Sequence, residues 1–102
     1  MNHRIIFSPG ANADIRSIVL WYERIDPSLA FRFILETSAT LWRIARFPYQ
    51  FPLIVSIFRR AGLKRFRYAI YYSIEKEEVV VKAVVHQRRA DSTWMGRGNG
   101  YS

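Results

Sequence analysis

"KRFRYAIYYSIEKEEVVVKAVVHQ", Lys64 to Gln87, is the stretch that decides the fold. Its first half has a period of two. Phe66, Tyr68, Ile70, Tyr72 and Ile74 fall on one side, with Arg65, Arg67, Ala69, Tyr71 and Ser73 on the other. Alternation in a run rich in aromatic and β-branched residues is the signature of a strand. The charged "EKEE" interrupts it as a turn, and "EVVVKAVVHQ" resumes as a second strand, so the two form an antiparallel hairpin. Just upstream, "LIVSIFRR" (Leu53–Arg60) reads as another strand and Ala61-Gly62 as the turn after it, giving a three-stranded meander.

Further back the period changes. Ile15, Ile18, Val19 and Tyr22 recur at i, i+3, i+4 and i+7, the stripe of an amphipathic helix that begins near Ala11, with Ser8 or Asn12 available as its N-cap. "IDPS" ends that helix. Asp26 or Ser28 can cap the next one, with Pro27 in its first turn. Ala30, Phe33, Ile34, Thr37, Leu41 and Ile44 continue at helical spacing up to Pro48, so two helices form an antiparallel hairpin. Before them "RIIF" (Arg4–Phe7) is a short strand stopped by Ser8-Pro9-Gly10. The expected fold is α+β, of order β-α-α-β-β-β, with a helical hairpin packed on an antiparallel sheet. Residues 1–97 make one domain and 98–102 a flexible tail.

Composition narrows the function. Half of the 102 residues are hydrophobic and 16% are aromatic, which excludes a disordered chain. No run approaches the roughly 20 apolar residues of a membrane helix, and the apolar run in "MNHRIIFSPG" is too short for a signal peptide. The absence of cysteine rules out disulfides and thiolate metal sites and suits the cytoplasm, the expected location. The net charge of +8 is uneven: residues 1–58 carry six basic and four acidic side chains, residues 59–102 ten and four. Arginine, 13 of the 16 basic residues, offers a planar fork to phosphates and carboxylates. A basic C-terminal half calls for an anionic partner, either nucleic acid or an acidic protein segment.

Conventional catalytic constellations are missing. His3 and His86 have no second ligand at metal-binding spacing, so neither a metal nor a cofactor is expected. Asp14 and Glu23 read as helix-surface residues, and Glu75, Glu77 and Glu78 as a solvated turn. What remains is arginine among aromatics: Arg59-Arg60 leave the second strand, Arg65 and Arg67 alternate along the third, and Arg88-Arg89 leave the fourth, interleaved with Tyr68, Tyr71, Tyr72 and Trp94. Trp21, Tyr22 and Phe31 raise a separate point. "IVLWYERI" is apolar nearly all round, so either the domain covers this helix on two sides or the helix offers an apolar patch to a partner.

The order of elements, "RFRYAIYY", and the strand-ending His86-x-x-Arg89 with Trp94 five residues on resemble the ParE/RelE superfamily of toxins from type II toxin–antitoxin systems, over Ile5 to Arg97. The resemblance implies one of two activities. RelE-like toxins cleave mRNA on the ribosome, whereas ParE-like toxins poison DNA gyrase and serve plasmid stabilisation; both are neutralised by an antitoxin that wraps them. This sequence leans to ParE. Where RelE-like chains carry an arginine three residues before the last tyrosine of the aromatic strand, it has Ala69, and Trp94 replaces their C-terminal tyrosine. Arg67 stands where ParE-like chains often have proline, which keeps the nuclease alternative open.

The reading is therefore a gyrase inhibitor that acts by binding, through Arg59, Arg60, Arg88, Arg89 and Trp94. A cognate antitoxin, acidic and partly disordered, is expected to dock on Trp21, Tyr22 and Phe31. The alternative is an endoribonuclease with Arg67, Arg88 and Arg89 on the phosphate and His86 or Tyr71 as base.

Overall fold

The computed structural model describes residues 2–88. The chain runs β1 (Arg4–Phe7), α1 (Pro9–Ile25), α2 (Pro27–Arg46), β2 (Leu53–Val55), β3 (Phe58–Gly62), β4 (Tyr68–Glu75) and β5 (Glu78–His86). The α+β architecture is as expected: the helical hairpin packs on a sheet of strand order β1-β5-β4-β3-β2. The tail assigned to residues 98–102, and the end of the domain at 97, lie outside the described residues.

Three features correct the sequence reading. Leu53–Arg60 forms two strands instead of one, because Ser56, at φ 51, turns the chain back so that β2 pairs antiparallel with β3. Ala61 and Gly62 finish β3, opposite Ile70 and Ala69, and the turn falls at residues 63–67. The sheet is also mixed: β1 lies parallel to β5, from Arg4 opposite Glu78 to Phe7 opposite Val81. A parallel pair needs a long crossover, which everything from α1 to β4 supplies.

Short polar signals set the helix ends. The Ser8 hydroxyl accepts from Ala11 N–H at 3.0 Å, so of the two N-cap candidates Ser8 is the one used and α1 starts at Pro9, two residues before Ala11. A single residue, Asp26, joins the helices. Its N–H donates to Tyr22 O (2.8 Å) and closes α1, while its carboxylate accepts from Ser28 N–H (3.0 Å) and opens α2. Those same bonds to Ser28 hold the carboxyl below its usual pKa.

The core lies between hairpin and sheet. Ile18 and Phe33 meet Ile70, Tyr72, Val79, Val81 and Val84, with Ile15, Val19 and Tyr22 packed at the margin. On α2 the inward stripe is Ala30, Phe33, Thr37, Thr40 and Ile44; Ile34, expected inside, is exposed. The sheet buries its second face too, where Ala69, Tyr71, Ala83 and Val85 cluster with Phe58. A bulge interrupts the alternation of β5. Tyr71 lies opposite Ala83 but Tyr72 opposite Val81, so Lys82 is the extra residue and the alternation of β5 shifts by one.

Candidate functional site

Basic residues gather at one end of the sheet. Gly62 of β3 pairs with Ala69 of β4, and Tyr68 of β4 with His86 of β5, so three strand ends meet there. Lys64, Arg65 and Arg67 lie in the exposed turn before β4, and Arg88 follows β5 at the same end. Glu36 of α2 organises the turn: its carboxylate accepts the N–H groups of Lys64 and Arg65, the latter at 2.7 Å. With that carboxylate committed to the backbone, the basic side chains face solvent. Gln87 ties the two strand ends together, donating its N–H to Arg67 O (2.7 Å) and its side-chain amide to Tyr68 O (3.0 Å).

The residues singled out from the sequence separate into groups. Arg67 and Arg88 both lie at this end. Arg60 lies further along β3, opposite Tyr71. Arg59 points the other way, donating to Phe51 O (2.6 Å) and Tyr49 O (3.3 Å) and stacking on the Tyr49 ring at 5.3 Å, so it clasps the segment before β2. Arg89 and Trp94 lie outside the described residues.

The two candidate bases are both engaged. Tyr71 is 1% exposed. The His86 ring stands edge-on to Tyr68 at 5.3 Å, and its Nδ1 accepts Arg88 N–H at 3.1 Å, which fixes that nitrogen as an acceptor. Ala69 is fully buried. Among the described residues no cluster of His, Cys, Asp or Glu could hold a metal ion, and no helix is long and apolar enough to cross a membrane.

On the hairpin, Trp21 and Phe31 are 49% and 61% exposed, alongside Leu20, Ile25, Leu35 and Trp42. Tyr22 behaves differently. Its ring packs against Phe33, Phe66 and Tyr68 at 5.3–6.4 Å, and burial pushes its pKa up, helped by Tyr68. The remaining large feature is a cavity of about 640 Å³ between α1 and the ends of β4 and β5, reached by Asp14, Ile18, Trp21, Arg24, Tyr68 and His86. Asp14, expected on the helix surface, is half-buried. It accepts Val84 N–H at 2.9 Å, and its place one turn before Ile18, on the apolar stripe, is the signal that could have identified it.

The family model for the ParE toxin of type II toxin–antitoxin systems matches residues 5–91. The chain belongs to the ParE toxin family. Among solved structures, a chain described as belonging to the chromosomal ParDE toxin–antitoxin system of P. aeruginosa superposes with a TM-score of 0.73 at 16% identity, covering 82% of this chain and 95% of that one. No curated protein matches. For a ParE-family chain, the basic sheet end and the exposed hairpin are the two surfaces to explain.

Proposed function

We propose that this ParE-family toxin inhibits DNA gyrase by binding, without catalysis, and that an acidic, partly disordered antitoxin neutralises it. The observation that carries the reading is the state of the groups a nuclease would need. The sheet end offers charge through Arg67 and Arg88, but His86 and Tyr71, the two candidates to take a proton from a 2′-hydroxyl, are already bonded or buried. Charge without a base makes a grip on an anionic surface. Arg60 and Arg88 are the described contacts for gyrase, with Arg89 and Trp94 beyond the described residues as further ones, while Arg59 supports the fold beside them. Trp21 and Phe31 supply the apolar anchors for the antitoxin, and Tyr22 braces Trp21 from beneath at 5.1 Å. The toxin's +8 charge speeds capture of an acidic partner by electrostatic steering.

The placement of Arg67 and Arg88 at the same sheet end favours one rival, cleavage of mRNA on the ribosome. Growth arrest on expression without antitoxin separates the two. His86→Gln and Tyr71→Phe are expected to leave the arrest within about twofold of wild type. A loss of arrest by either variant in its folded form, on the order of the 100-fold or more that a general base contributes, would point to the nuclease instead.

A further inference from the structure

Helix α2 carries a charged face of its own. Arg32, Glu36 and Arg43 are spaced by four and seven residues, so they share one side of the helix, and the turn before β4 lies against it. Glu36 is the only acidic residue of α2, and its carboxylate is taken up by the N–H groups of Lys64 and Arg65. A cleft opens on either side of that clasp. One, of about 410 Å³, lies between Arg32 of the helix and Arg65 of the turn, with Leu35 and Phe66 in its wall. The other, of about 430 Å³, lies between Arg43 and Lys64, beside Trp42. Each cleft therefore joins a cation of α2 to a cation of the turn. Among the described residues no carboxylate forms an ion pair with any of the four. The Thr40 hydroxyl accepts from Arg43 Nη2 (3.3 Å) and donates to Glu36 O (3.0 Å), which holds the Arg43 guanidinium along the helix. Trp42 stays 54% exposed, with the Arg46 guanidinium over its ring at 5.1 Å.

We propose that this face of α2 binds single-stranded nucleic acid, with phosphates in the two clefts and a base stacked on Trp42. Concentrated like charge is unfavourable until an anion screens it, and the guanidinium fork matches the oxygens of a phosphate. Glu36 puts up no opposing charge, since its carboxylate is turned onto backbone N–H groups. What separates a nucleic-acid strand from an acidic polypeptide is the tryptophan. Every base has a flat π-face, so cations beside an exposed aromatic suit a strand of any sequence. Arg32 and Arg43 lie about 16 Å apart along the helix axis, so one strand laid along α2 meets both clefts in succession. The inference goes beyond the gyrase reading and stands apart from it, because Arg60, Arg88, Arg89 and Trp94 take no part.

The test is fluorescence anisotropy of a labelled oligothymidylate, with the full chain titrated in at a series of KCl concentrations and no gyrase present. Wild type is expected to bind, with an affinity that falls as salt rises. Arg32→Gln combined with Lys64→Gln removes one cation from each cleft. It is expected to flatten the slope of log affinity against log salt by about 1.4, at about 0.7 for each phosphate contact. Trp42→Ala is expected to bind about tenfold more weakly with the slope unchanged. All three side chains are exposed, so these variants are expected to fold as wild type does. Arg16→Gln combined with Lys76→Gln makes the same change of charge at exposed positions on α1 and in the turn after β4, and is expected to leave the slope as it was. Absence of binding by wild type, or equal losses from the two double variants, would overturn the proposal; the second result would trace binding to overall charge. Undiminished binding by Trp42→Ala, or displacement of the oligomer by polyglutamate on equal terms, would overturn it in favour of an acidic polypeptide. The gyrase reading fails separately, by undiminished supercoiling, and neither result decides the other.

Discussion

Replacing Phe33 by alanine is expected to cost about 3–5 kcal/mol, the usual loss for a large buried aromatic. Its ring is fully buried and meets Tyr22, Phe66 and Tyr68 at centroid distances of 5.5–5.8 Å, so truncation opens a cavity where helix hairpin and sheet meet. Domains of this size have roughly 5–15 kcal/mol in all, so the variant is expected to unfold at a much lower urea concentration, or to fail to fold at 37 °C. Ile34→Ala, one residue along and exposed, is expected to shift the urea midpoint by less than about 1 kcal/mol equivalent. Similar losses at both positions would mean that α2 presents a different face to the core.

The second large effect is alkaline. Tyr72 is fully buried, and its hydroxyl donates to Pro48 O at 2.5 Å, across the joint between the end of α2 and the sheet. Burial pushes its pKa up to about 12 from 10.0, against an opposing pull from Arg59. A tyrosine with a raised folded pKa holds its proton more tightly folded than unfolded. Its contribution is therefore complete below pH 10 and is lost as pH climbs through 12, by on the order of 2 kcal/mol. Tyr72→Phe leaves the buried Pro48 carbonyl without its donor and is expected to be about 1–3 kcal/mol less stable than wild type near neutral pH. Urea unfolding of both proteins up to pH 11 should show that gap narrowing once pH passes 10. A gap that holds constant would mean that the hydroxyl is not held as described.

Local chemistry explains what could be read in advance. The i, i+3, i+4 stripe of α1, the cap at Asp26 and the turn at "EKEE" are signals within a few residues of one another; all are realised, although Glu75 and Glu78 of that turn belong to the paired strands and only Lys76-Glu77 turn. The errors come from features that local periodicity does not carry. Nothing in "VVVKAVVHQ" marks Lys82 as a bulge; only the pairing with β4 makes Tyr71 and Tyr72 face Ala83 and Val81. Nothing in "LIVSIFRR" requires a turn, since neither Gly nor Asn stands where Ser56 takes up positive φ. The candidate site shows the same division. The arginines were visible as a cluster, but that Arg59 is drawn off to the carbonyls of Tyr49 and Phe51 is a tertiary fact.

The most direct test is supercoiling of relaxed plasmid DNA by gyrase, with the purified chain titrated in. The account predicts loss of supercoiling with accumulation of cleaved DNA, and more than about tenfold weaker inhibition for Arg88→Glu and for Trp94→Ala, as expected of contacts at the centre of a grip. Undiminished supercoiling at large excess of folded protein, together with cleavage of mRNA on ribosomes, would contradict it.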